Sequence, residues 1–504
     1  MSQIILPELF QDHMMLQRDK TLHIWGKSPD ASQITIRLED TTVSCPVSEG
    51  RFSCQLPSQS AGRGKTLLFF ADQDSSPSLQ ISDISIGDIW MACGQSNMEY
   101  FLRYDAHWND TKRGPRNRDI HMYNCPRIAF EGQVREQPEC GYWFQEDDTA
   151  WPLFSAPGYS FARSLQPDLK VPIGIIGCNW GGTPACAWMD EEHLSVPPLT
   201  VFDEEYRQAT AEIPEKELKE SSMEAWAFED SYRHQLEWRA MMYGMTREEQ
   251  RLWEKEHRTD PVLPMGPWHH YRPCGLYHTM IRTIAPFTVK GFLWYQGESD
   301  SDHAQIYDQT MTALIDCFRK TWEDESLPFL FVQLAPFGIW LGCTGKNYAI
   351  VRNRQEKVSK TVPGTGMISV MDLGMYEDIH PKFKMEVGER LALLAKGKVY
   401  GYPVLCESPE ITGVSREGGQ LQLRFLHSGD GLQTDEYGAD SFRIFQNGMQ
   451  KKISAFSVRR DSILITLEDA TEDPLDISYA EEDYCEVHIW NSAGLPVKPF
   501  HWEG

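Results

Sequence analysis

Apolar and polar residues alternate along the first part of the chain, as in Gln33–Leu38, and turns rich in Ser, Asp and Gly separate such runs. A period of two is typical of β-strands that bury one face. The same alternation returns from about position 405 onward, for example over 421–425 and 462–467. The pattern therefore predicts an N-terminal β domain over residues 1–84 and a C-terminal β domain over residues 401–504.

A different pattern fills the chain between these two regions, where short apolar runs are followed by helical segments. The predicted strands cover 89–93, 173–178, 289–295, 329–334 and 367–371, and helices are predicted from Asn97, over 304–322 and over 382–396. Strands that alternate with helices are typical of a parallel α/β sheet. We therefore expect an α/β domain over residues 85–400.

Residues 200–262 interrupt this alternation, because they are rich in Glu, Lys and Arg with scattered Trp and Met. The stretch predicts helices inserted into the α/β domain. Two interpretations stay open at this point: a pair of solvated helices, or an insert with a function, either as a lid or by shaping the substrate site.

The charge balance excludes two classes of protein. The 504 residues include 48 Lys and Arg against 73 Asp and Glu, which gives a formal net charge of −25 at pH 7. Nucleic-acid binding and attachment to anionic membranes both need a basic surface, so this balance argues against either class. Hydrophobic residues make up 41% of the chain, which is enough for the core of a globular protein.

The sequence does not predict a membrane span. The most apolar run, 329–343, has about 15 residues and is broken by Gln333, Pro336 and Gly338, whereas a spanning helix needs about 20. The N-terminus lacks the basic segment and the small-residue cleavage site of a signal peptide. We therefore expect a protein that is cytoplasmic as the sequence stands, or secreted if a signal peptide was removed from it.

The cysteines and paired histidines do not predict a metal site. The 12 cysteines are scattered, without a C-x-x-C pair or a Cys/His cluster at zinc spacing. We interpret them as buried thiols and leave open that Cys45 and Cys54 face each other across a short hairpin. His269 and His270 have no acidic or thiol ligands at metal spacing, so we expect a structural role for them.

The candidate chemistry lies where the predicted strands end. After the first strand comes Gly94-Gln95-Ser96-Asn97-Met98, which places Ser96 in a strand-to-helix turn at the carboxyl edge of the sheet. A serine at this point suits a nucleophile, and its backbone N–H suits an oxyanion donor. The alternative interpretation is a serine that only caps the helix N-terminus.

Polar loops follow the next two strands as well. Gly181 and Gly182 allow backbone N–H groups to approach a ligand closely, although an ordinary tight turn uses glycines too. The Gln296 amide is a candidate donor to an oxyanion. Glu298 and Asp300 are candidates to orient neighbouring groups, with the alternative that they only support a helix N-terminus.

After the fifth strand, Asp378 and His380 lie two positions apart, with Glu377 directly before Asp378. An acid near a histidine holds the imidazole in one tautomer, and the histidine then acts as a general base. One such pair is common on protein surfaces, but four polar clusters at four strand ends are much rarer. Because open α/β sheets bind ligands at the carboxyl ends of their strands, the set predicts a hydrolase site.

Four blocks of the sequence resemble those of the SGNH/GDSL hydrolase superfamily, specifically its sialate O-acetylesterase branch. They are Gly94-Gln95-Ser96-Asn97-Met98, Trp180-Gly181-Gly182-Thr183, Trp294-Tyr295-Gln296-Gly297-Glu298 and Asp378-Ile379-His380-Pro381. The opening Leu6-Pro7-Glu8-Leu9-Phe10 and the closing Trp490-Asn491-Ser492-Ala493-Gly494-Leu495-Pro496 resemble this branch as well. The resemblance covers most of the chain outside 200–262. It implies a flavodoxin-like parallel sheet with helices on both faces, flanked by the two β domains.

The resemblance implies a role for each of these residues. Ser96 is the expected nucleophile and His380 its general base. The expected oxyanion hole combines the Ser96 N–H, the Gln296 amide and a glycine N–H, for which we favour Gly181 and keep Gly182. The expected supporting residues are Gln95, Asn97, Glu298 and Glu377.

The acid of the site is less sharply defined. The superfamily's acid usually lies three residues before the histidine, where this chain has Glu377. The Asp-Ile-His-Pro motif of the branch favours Asp378, and we choose Asp378 with Glu377 as the alternative. A site closer to a Ser–His dyad also stays open.

The resemblance implies a serine carboxylic ester hydrolase, and most specifically a sialate O-acetylesterase with a Ser-His-Asp acetyl-enzyme mechanism and no cofactor. Two alternatives stay open: an acetylesterase of polysaccharides such as xylan or mannan, and a non-catalytic carbohydrate-binding protein. A sialic acid needs an arginine for its carboxylate, and Arg103, Arg272 and Arg352 are candidates. The expected partner is an O-acetylated sugar, with no nucleic acid and no membrane.

Overall fold

The computed structural model describes residues 3–72 and 74–504, which pack into two compact units. The first unit contains the chain up to Gln296 together with Gln309–Phe329 and Lys384–Gly388. The second contains Gly297–Asp308, Leu330–Phe383 and Glu389–Gly504. The boundaries of these two units differ from those of the three domains expected from the sequence, 1–84, 85–400 and 401–504. The three domains stay a prediction.

The first unit combines β-strands with most of the helices. Its strands are β1 (Met15–Gln17), β2 (Leu22–Lys27), β3 (Gln33–Leu38), β4 (Thr41–Pro46), β5 (Arg51–Leu56), β6 (Gly62–Ala71), β7 (Leu79–Gly94), β8 (Ile120–Asn124), β9 (Trp143–Phe144), β10 (Ile173–Asn179) and β11 (Gly291–Tyr295). Its helices are α1 (Ser96–Glu99), α2 (Trp108–Thr111), α3 (Ala156–Leu169), α4 (Glu191–Leu194), α5 (Thr200–Thr210), α6 (Glu215–Glu229), α7 (Tyr232–Arg239), α8 (Arg247–Glu256), α9 (Arg282–Ile284) and, from residue 309 on, α10 (Tyr307–Thr321). Shorter 3₁₀ and π turns cover Leu102–Tyr104, Trp151–Leu153, Ala185–Trp188, Ala240–Gly244 and Tyr277–Ile281.

The long strand β7 runs from the N-terminal β region into the α/β sheet. Its first half pairs antiparallel with β6, and its second half pairs parallel with β10 and β11. The strand order in this part of the sheet is β11-β7-β10-β8-β9, with only β9 antiparallel to its neighbour. The sequence pattern predicts a strand of the α/β domain only over 89–93, the apolar end of β7. The first half of β7 alternates like the strands before it, so the pattern assigns it to the N-terminal β domain.

The parallel pairing brings three strand ends to the same level. Asn179 of β10 and Tyr295 of β11 both pair with Gly94, the last residue of β7. The loops that follow therefore leave the same edge of the sheet. Gly94 has a φ of +136°, and a Cβ on it would lie 2.2 Å from the Tyr295 carbonyl oxygen, so only glycine fits there.

The second unit contains further strands of the α/β region and the C-terminal β-strands. Its strands are β12 (Phe329–Val332, from residue 330 on), β13 (Ile339–Trp340), β14 (Cys343–Thr344), β15 (Thr365–Ile368), β16 (Glu410–Glu417), β17 (Gln420–Leu426), β18 (Gln433–Thr434), β19 (Phe442–Gln446), β20 (Met449–Gln450), β21 (Ile453–Arg459), β22 (Ser462–Leu467), β23 (Leu475–Tyr479), β24 (Ile489–Trp490) and β25 (Phe500–Glu503). Its helices are a 3₁₀-helix over Glu298–Ile306, α11 (Tyr348–Thr361) and, from residue 389 on, α12 (Lys384–Lys398). The sheets β16-β17-β22-β21 and β20-β19-β23-β25 share one buried core, which includes Leu423, Ile444, Ile465 and Ile477.

The predicted α/β fold with additional β regions is confirmed. Residues 200–262 form helices α5 to α8, as their composition predicts. The fifth predicted strand, 367–371, is observed as β15 and begins and ends earlier than expected, at Thr365–Ile368. Within the described ranges 3–72 and 74–504, no helix is both long and apolar enough to cross a membrane.

One pair of cysteines departs from the interpretation as thiols. Cys45 of β4 and Cys54 of β5 form a disulfide with a Cα–Cα distance of 5.6 Å, so the alternative left open for this pair is the one observed. The thiol interpretation is wrong for this pair. It holds for the buried thiols Cys93, Cys125, Cys178, Cys186, Cys274, Cys317 and Cys406.

Candidate active site

Ser96 is the first residue of α1, directly after the turn that ends β7. It is buried, with 4% of its surface exposed. The N-cap position of α1 belongs to Gln95, whose carbonyl oxygen accepts the N–H groups of Met98 and Glu99, both at 2.9 Å, and no side chain caps the helix. The capping interpretation of Ser96 is therefore wrong, and its position continues to suit a nucleophile.

The glycine loop after β10 lies against Ser96. A Cβ on Gly181 would be 3.4 Å from the Ser96 Cβ. The Gly181 N–H donates to Glu99 Oε2 at 2.6 Å. Because a backbone nitrogen carries one hydrogen, this bond argues against the preferred Gly181 as an oxyanion donor. The role of the alternative, Gly182, stays a prediction. Gly182 has a φ of +77°, and a Cβ on it would lie 1.8 Å from the Tyr271 hydroxyl oxygen, so this position requires glycine.

Gln296 follows β11 and is completely buried. Its amide nitrogen donates to the Thr183 carbonyl oxygen at 3.3 Å, so it lies beside the glycine loop. The first unit thus brings Ser96, Gly182 and Gln296 to one edge of the sheet, where their N–H groups suit a common oxyanion. The supporting residues Gln95 and Asn97 are buried at the same edge.

Glu99 at the end of α1 holds a charge inside the first unit. Its Oε1 accepts Nε and Nη2 of Arg239 at 2.9 and 2.8 Å, and both side chains are less than a tenth exposed. Burial alone raises the pKa of Glu99, but the charges of Arg239 and Arg127 and the hydrogen bonds to the carboxylate outweigh it, so the pKa lies below its usual value. Glu99 is therefore an anion that fixes the glycine loop, and the sequence-based prediction did not include it.

His380 and its nearest acid belong to the second unit. His380 is 2% exposed. Asp378 Oδ1 accepts the His380 backbone N–H at 2.8 Å, and Asp378 Oδ2 lies 2.8 Å from Lys382 Nζ. The distance from Asp378 Oδ1 to His380 Nδ1 is 3.8 Å, which is longer than a hydrogen bond. Asp378 thus lies beside the imidazole without the short bond that the acid of a catalytic triad makes.

The other candidate acids differ in burial. Glu377 is exposed in the same loop. Glu298 and Asp300 are buried in the first turn of a 3₁₀-helix, the place that their structural alternative predicts. Burial and proximity to the histidine favour Asp378 over Glu377, and the catalytic roles of these acids stay predictions.

A buried lysine is a further residue that the sequence-based prediction did not include. Lys384 is completely buried, and its ammonium group lies 5.1 Å from the ring centre of Tyr100 and 5.7 Å from that of Tyr295. Both rings flank the turns that carry Ser96 and Gln296. Nothing in the sequence around Lys384 indicates that its side chain is buried. Only the packing in the structure shows that Lys384 lies near these turns.

The three arginines considered for a sugar carboxylate lie in different environments. Arg352 is completely buried and donates to the carbonyl oxygens of Glu482 and Asp483, which gives it a structural role. Arg103 is exposed and Arg272 is partly exposed. Of the three, Arg103 and Arg272 therefore stay candidates.

The adjacent histidines pack as aromatic rings. His269 and His270 stack with ring centres 4.8 Å apart, and His270 stacks on Trp180 at 4.7 Å. Burial lowers the pKa of His269 to about 4 and holds the pKa of His270 well below its usual value. Both rings are therefore neutral at pH 7 and support the loop that begins at Trp180.

One cluster of the first unit has side chains of the types that bind metals. Asp190, His193 and Cys317 place their ligand atoms within 4.8 Å of one another. His193 is already engaged through both ring nitrogens, since Nδ1 lies 2.5 Å from Asp190 and Nε2 lies 3.1 Å from Asp316. These ion pairs account for the cluster as a structural contact between α4 and α10.

Comparisons with known proteins point to one family. Residues 264–395 match the family model described as carbohydrate esterase, sialic acid-specific acetylesterase. The mouse sialate O-acetylesterase is 25% identical over 355 residues, which cover 64% of this chain and 58% of the mouse protein. The rat sialate O-acetylesterase is 24% identical over 433 residues, which cover 77% of this chain and 72% of the rat protein. The matched region thus spans little more than half of the mouse relative.

A solved structure extends the likeness to the whole chain. A carbohydrate acetylesterase from Xanthomonas citri has 26% sequence identity and a TM-score of 0.75, and the alignment covers 99% of each chain. The family model covers the blocks around Gln296 and His380. The chain is therefore similar to the sialate O-acetylesterases along much of its length, and to a carbohydrate acetylesterase along nearly all of it.

Proposed function

We propose that the protein is a carbohydrate O-acetylesterase that removes O-acetyl groups from sialic acids through an acetyl-enzyme on Ser96. The observation that carries the proposal is the position of Ser96, which follows β7 at the same sheet edge as Gly182 and Gln296. A buried serine next to a turn N–H and a fixed amide suits acyl transfer. The names of the mouse and rat relatives support the choice of sialic acid.

In the proposed reaction, His380 removes the Ser96 proton while the serine oxygen attacks the acetyl carbonyl carbon. The Ser96 and Gly182 N–H groups and the Gln296 amide donate to the resulting oxyanion. When the intermediate collapses, the ester C–O bond breaks and His380 gives its proton to the departing sugar oxygen. A water that His380 deprotonates then attacks the acetyl group, which releases acetate and restores Ser96.

A second candidate substrate class is an acetylated polysaccharide such as xylan or mannan. The Xanthomonas citri protein that aligns over 99% of both chains is described as a carbohydrate acetylesterase, which does not restrict the substrate to sialic acid. The commitment of Arg352 to backbone carbonyls also leaves fewer cations for a sialic acid carboxylate. A non-catalytic carbohydrate-binding protein is the alternative from another class.

Acetate release from 9-O-acetylated sialic acid and from acetylated xylo-oligosaccharides tests the proposal and separates the two substrates. We expect Ser96→Ala and His380→Ala each to lower turnover by about 1,000-fold or more. Circular dichroism serves as the control that both variants are folded. Near-wild-type turnover by either variant contradicts the mechanism.

Labelling with a fluorophosphonate separates an enzyme from a binding protein. We expect the reagent to modify Ser96 in the wild type and to leave Ser96→Ala unmodified, because only an activated serine reacts. Absence of labelling in the folded wild-type protein, together with absence of acetate release, favours the non-catalytic alternative.

A further inference from the structure

A short hairpin of the second unit carries a tryptophan next to the candidate base. Its strands are β13 (Ile339–Trp340) and β14 (Cys343–Thr344), which pair antiparallel. Leu341 and Gly342 form the two-residue turn with φ values of +44° and +85°, as a type I′ turn requires. The hairpin is therefore a defined local structure that carries Trp340.

The base of the hairpin is bonded to the loop that carries His380. The N–H groups of Gly338 and Ile339 donate to the Tyr376 carbonyl oxygen at 3.1 and 2.8 Å. A Cβ on Gly338 would lie 2.3 Å from the Tyr376 ring, so the two backbones approach as closely as glycine permits. Because of these contacts, the hairpin and the histidine loop hold a fixed relation to each other.

The indole of Trp340 packs against the imidazole of His380. The ring centres are 5.2 Å apart, and the ring planes meet at 87° in an edge-to-face contact. Trp340 Nε1 is buried and makes no hydrogen bond within residues 3–72 and 74–504. A buried indole N–H usually has a partner, so hydrogen bonding does not account for the position of this ring. Packing against its neighbours, including His380, holds the indole in place.

The Asp378 carboxylate beside His380 does not by itself fix the orientation of the imidazole ring. Asp378 is engaged by the His380 backbone N–H and by Lys382, both at 2.8 Å. Its nearer oxygen is 3.8 Å from His380 Nδ1, beyond hydrogen-bond distance. The Asp378 carboxylate therefore does not hold the imidazole by a short hydrogen bond at Nδ1.

We propose that Trp340 is a positioning residue for His380, and that its ring limits the rotation of the imidazole on which proton transfer depends. This inference rests on the proposed function, in which His380 is the general base. General base catalysis requires the base within hydrogen-bond reach of the proton that it takes, and small displacements lower the rate steeply. Trp340 acts through His380, without contact to the acetyl group.

The test compares Trp340→Leu, which removes the aromatic ring, with Trp340→Phe, which keeps one. The matched control is Trp502→Leu, a tryptophan of the same unit that packs against the C-terminal core. The substrate is 4-nitrophenyl acetate, which has no sugar, so the kinetics report on the base and not on sugar binding. Thermal unfolding of each variant accompanies the kinetics, and Trp340→Met takes the place of Trp340→Leu if the latter does not fold.

We expect Trp340→Leu to lower kcat by about 10- to 100-fold with little change in KM. Trp340→Phe is expected to restore most of the lost kcat, and Trp502→Leu to keep the wild-type kcat. A kcat of Trp340→Leu within about twofold of the wild type overturns the inference, and so does an equal loss in Trp340→Phe. A wild-type protein without esterase activity is a different result, because it contradicts the proposed function itself.

Discussion

Replacing Arg239 by methionine removes the cation that compensates a buried carboxylate beside Ser96. The Glu99 side chain is 4% exposed and that of Arg239 is 8% exposed, and two guanidinium nitrogens lie within 2.9 Å of Glu99 Oε1. Removal of one partner of such a pair leaves an uncompensated buried charge, at a cost of about 3–5 kcal/mol. Methionine fills much of the same space without a polar atom, so the loss is mainly electrostatic. We expect the free energy of unfolding at neutral pH to fall by this amount.

The pKa of Glu99 determines how this loss varies with pH. In the wild type the pKa of Glu99 is below its usual value, because Arg239 and Arg127 more than offset the effect of burial. Glu99 therefore stabilises the fold above its unfolded pKa, and this contribution is lost as the pH falls through the folded pKa. In Arg239→Met, only Arg127 and the Gly181 N–H still oppose the effect of burial, so the carboxyl group takes up a proton at a higher pH than in the wild type and its charge is relieved. The difference between variant and wild type is largest at neutral pH and shrinks toward about pH 4.

Urea unfolding followed by circular dichroism, at neutral and at mildly acidic pH, measures both effects. The double variant Glu99→Gln/Arg239→Met is the matched control, because the glutamine oxygen still accepts the Gly181 N–H and carries no charge. We expect the double variant to recover most of the stability, as coupled residues do in a double-mutant cycle. If Arg239→Met lowers the free energy of unfolding by less than about 1 kcal/mol, the pair behaves like an exposed, solvent-screened ion pair, which contradicts a buried charge at Glu99. A loss of equal size at both pH values would contradict such a charge as well.

The remaining predictions concern the acid, the oxyanion loop and the disulfide. Asp378→Asn should lower kcat for acetyl esters by more than Glu377→Gln does, because only Asp378 is buried beside the histidine; the opposite order in steady-state kinetics makes Glu377 the acid. Gly182→Ala should abolish measurable acetate release, because the new Cβ would lie 1.8 Å from the Tyr271 hydroxyl oxygen and the residue has a φ of +77°. Substantial activity in this variant excludes that loop conformation. Cys45→Ser combined with Cys54→Ser should lower the free energy of unfolding by about 2–3 kcal/mol, and an unchanged denaturation midpoint contradicts the pairing.

The edge of the sheet can be predicted from the sequence because it follows from local patterns. Each apolar run ends in polar residues, and parallel strands end at one edge, so the sequence pattern alone identifies Ser96 and Gln296. The pairing of Asn179 and Tyr295 with Gly94 adds the register, which depends on the whole sheet. The register explains why the loops after three different strands leave the same edge of the sheet.

Contacts between distant segments cannot be predicted in this way. Arg239 follows Glu99 by 140 positions, and its neighbours have the composition of a solvated helix. Gly181 and Gly182 are equivalent as letters in the sequence, and they differ in the structure by the hydrogen bond from Gly181 to Glu99 and by the positive φ of Gly182. The edge-to-face contact of Trp340 with His380 likewise depends on a hairpin whose two strands are only two residues long.

The contacts of the insert 200–262 argue against a solvated helical pair and against a mobile lid, and they leave open the substrate-shaping insert. Its Arg239 is paired with Glu99 in the interior, and its Tyr243 packs on Tyr100 with ring centres 4.8 Å apart, so it is more than a solvated helical pair. A lid opens and closes, and opening here would break a buried ion pair at a cost of about 3–5 kcal/mol. The same carboxylate also holds the Gly181 N–H, so opening would release the oxyanion loop as well. These contacts therefore hold the insert against α1, and we expect changes there to alter turnover more than access of substrate.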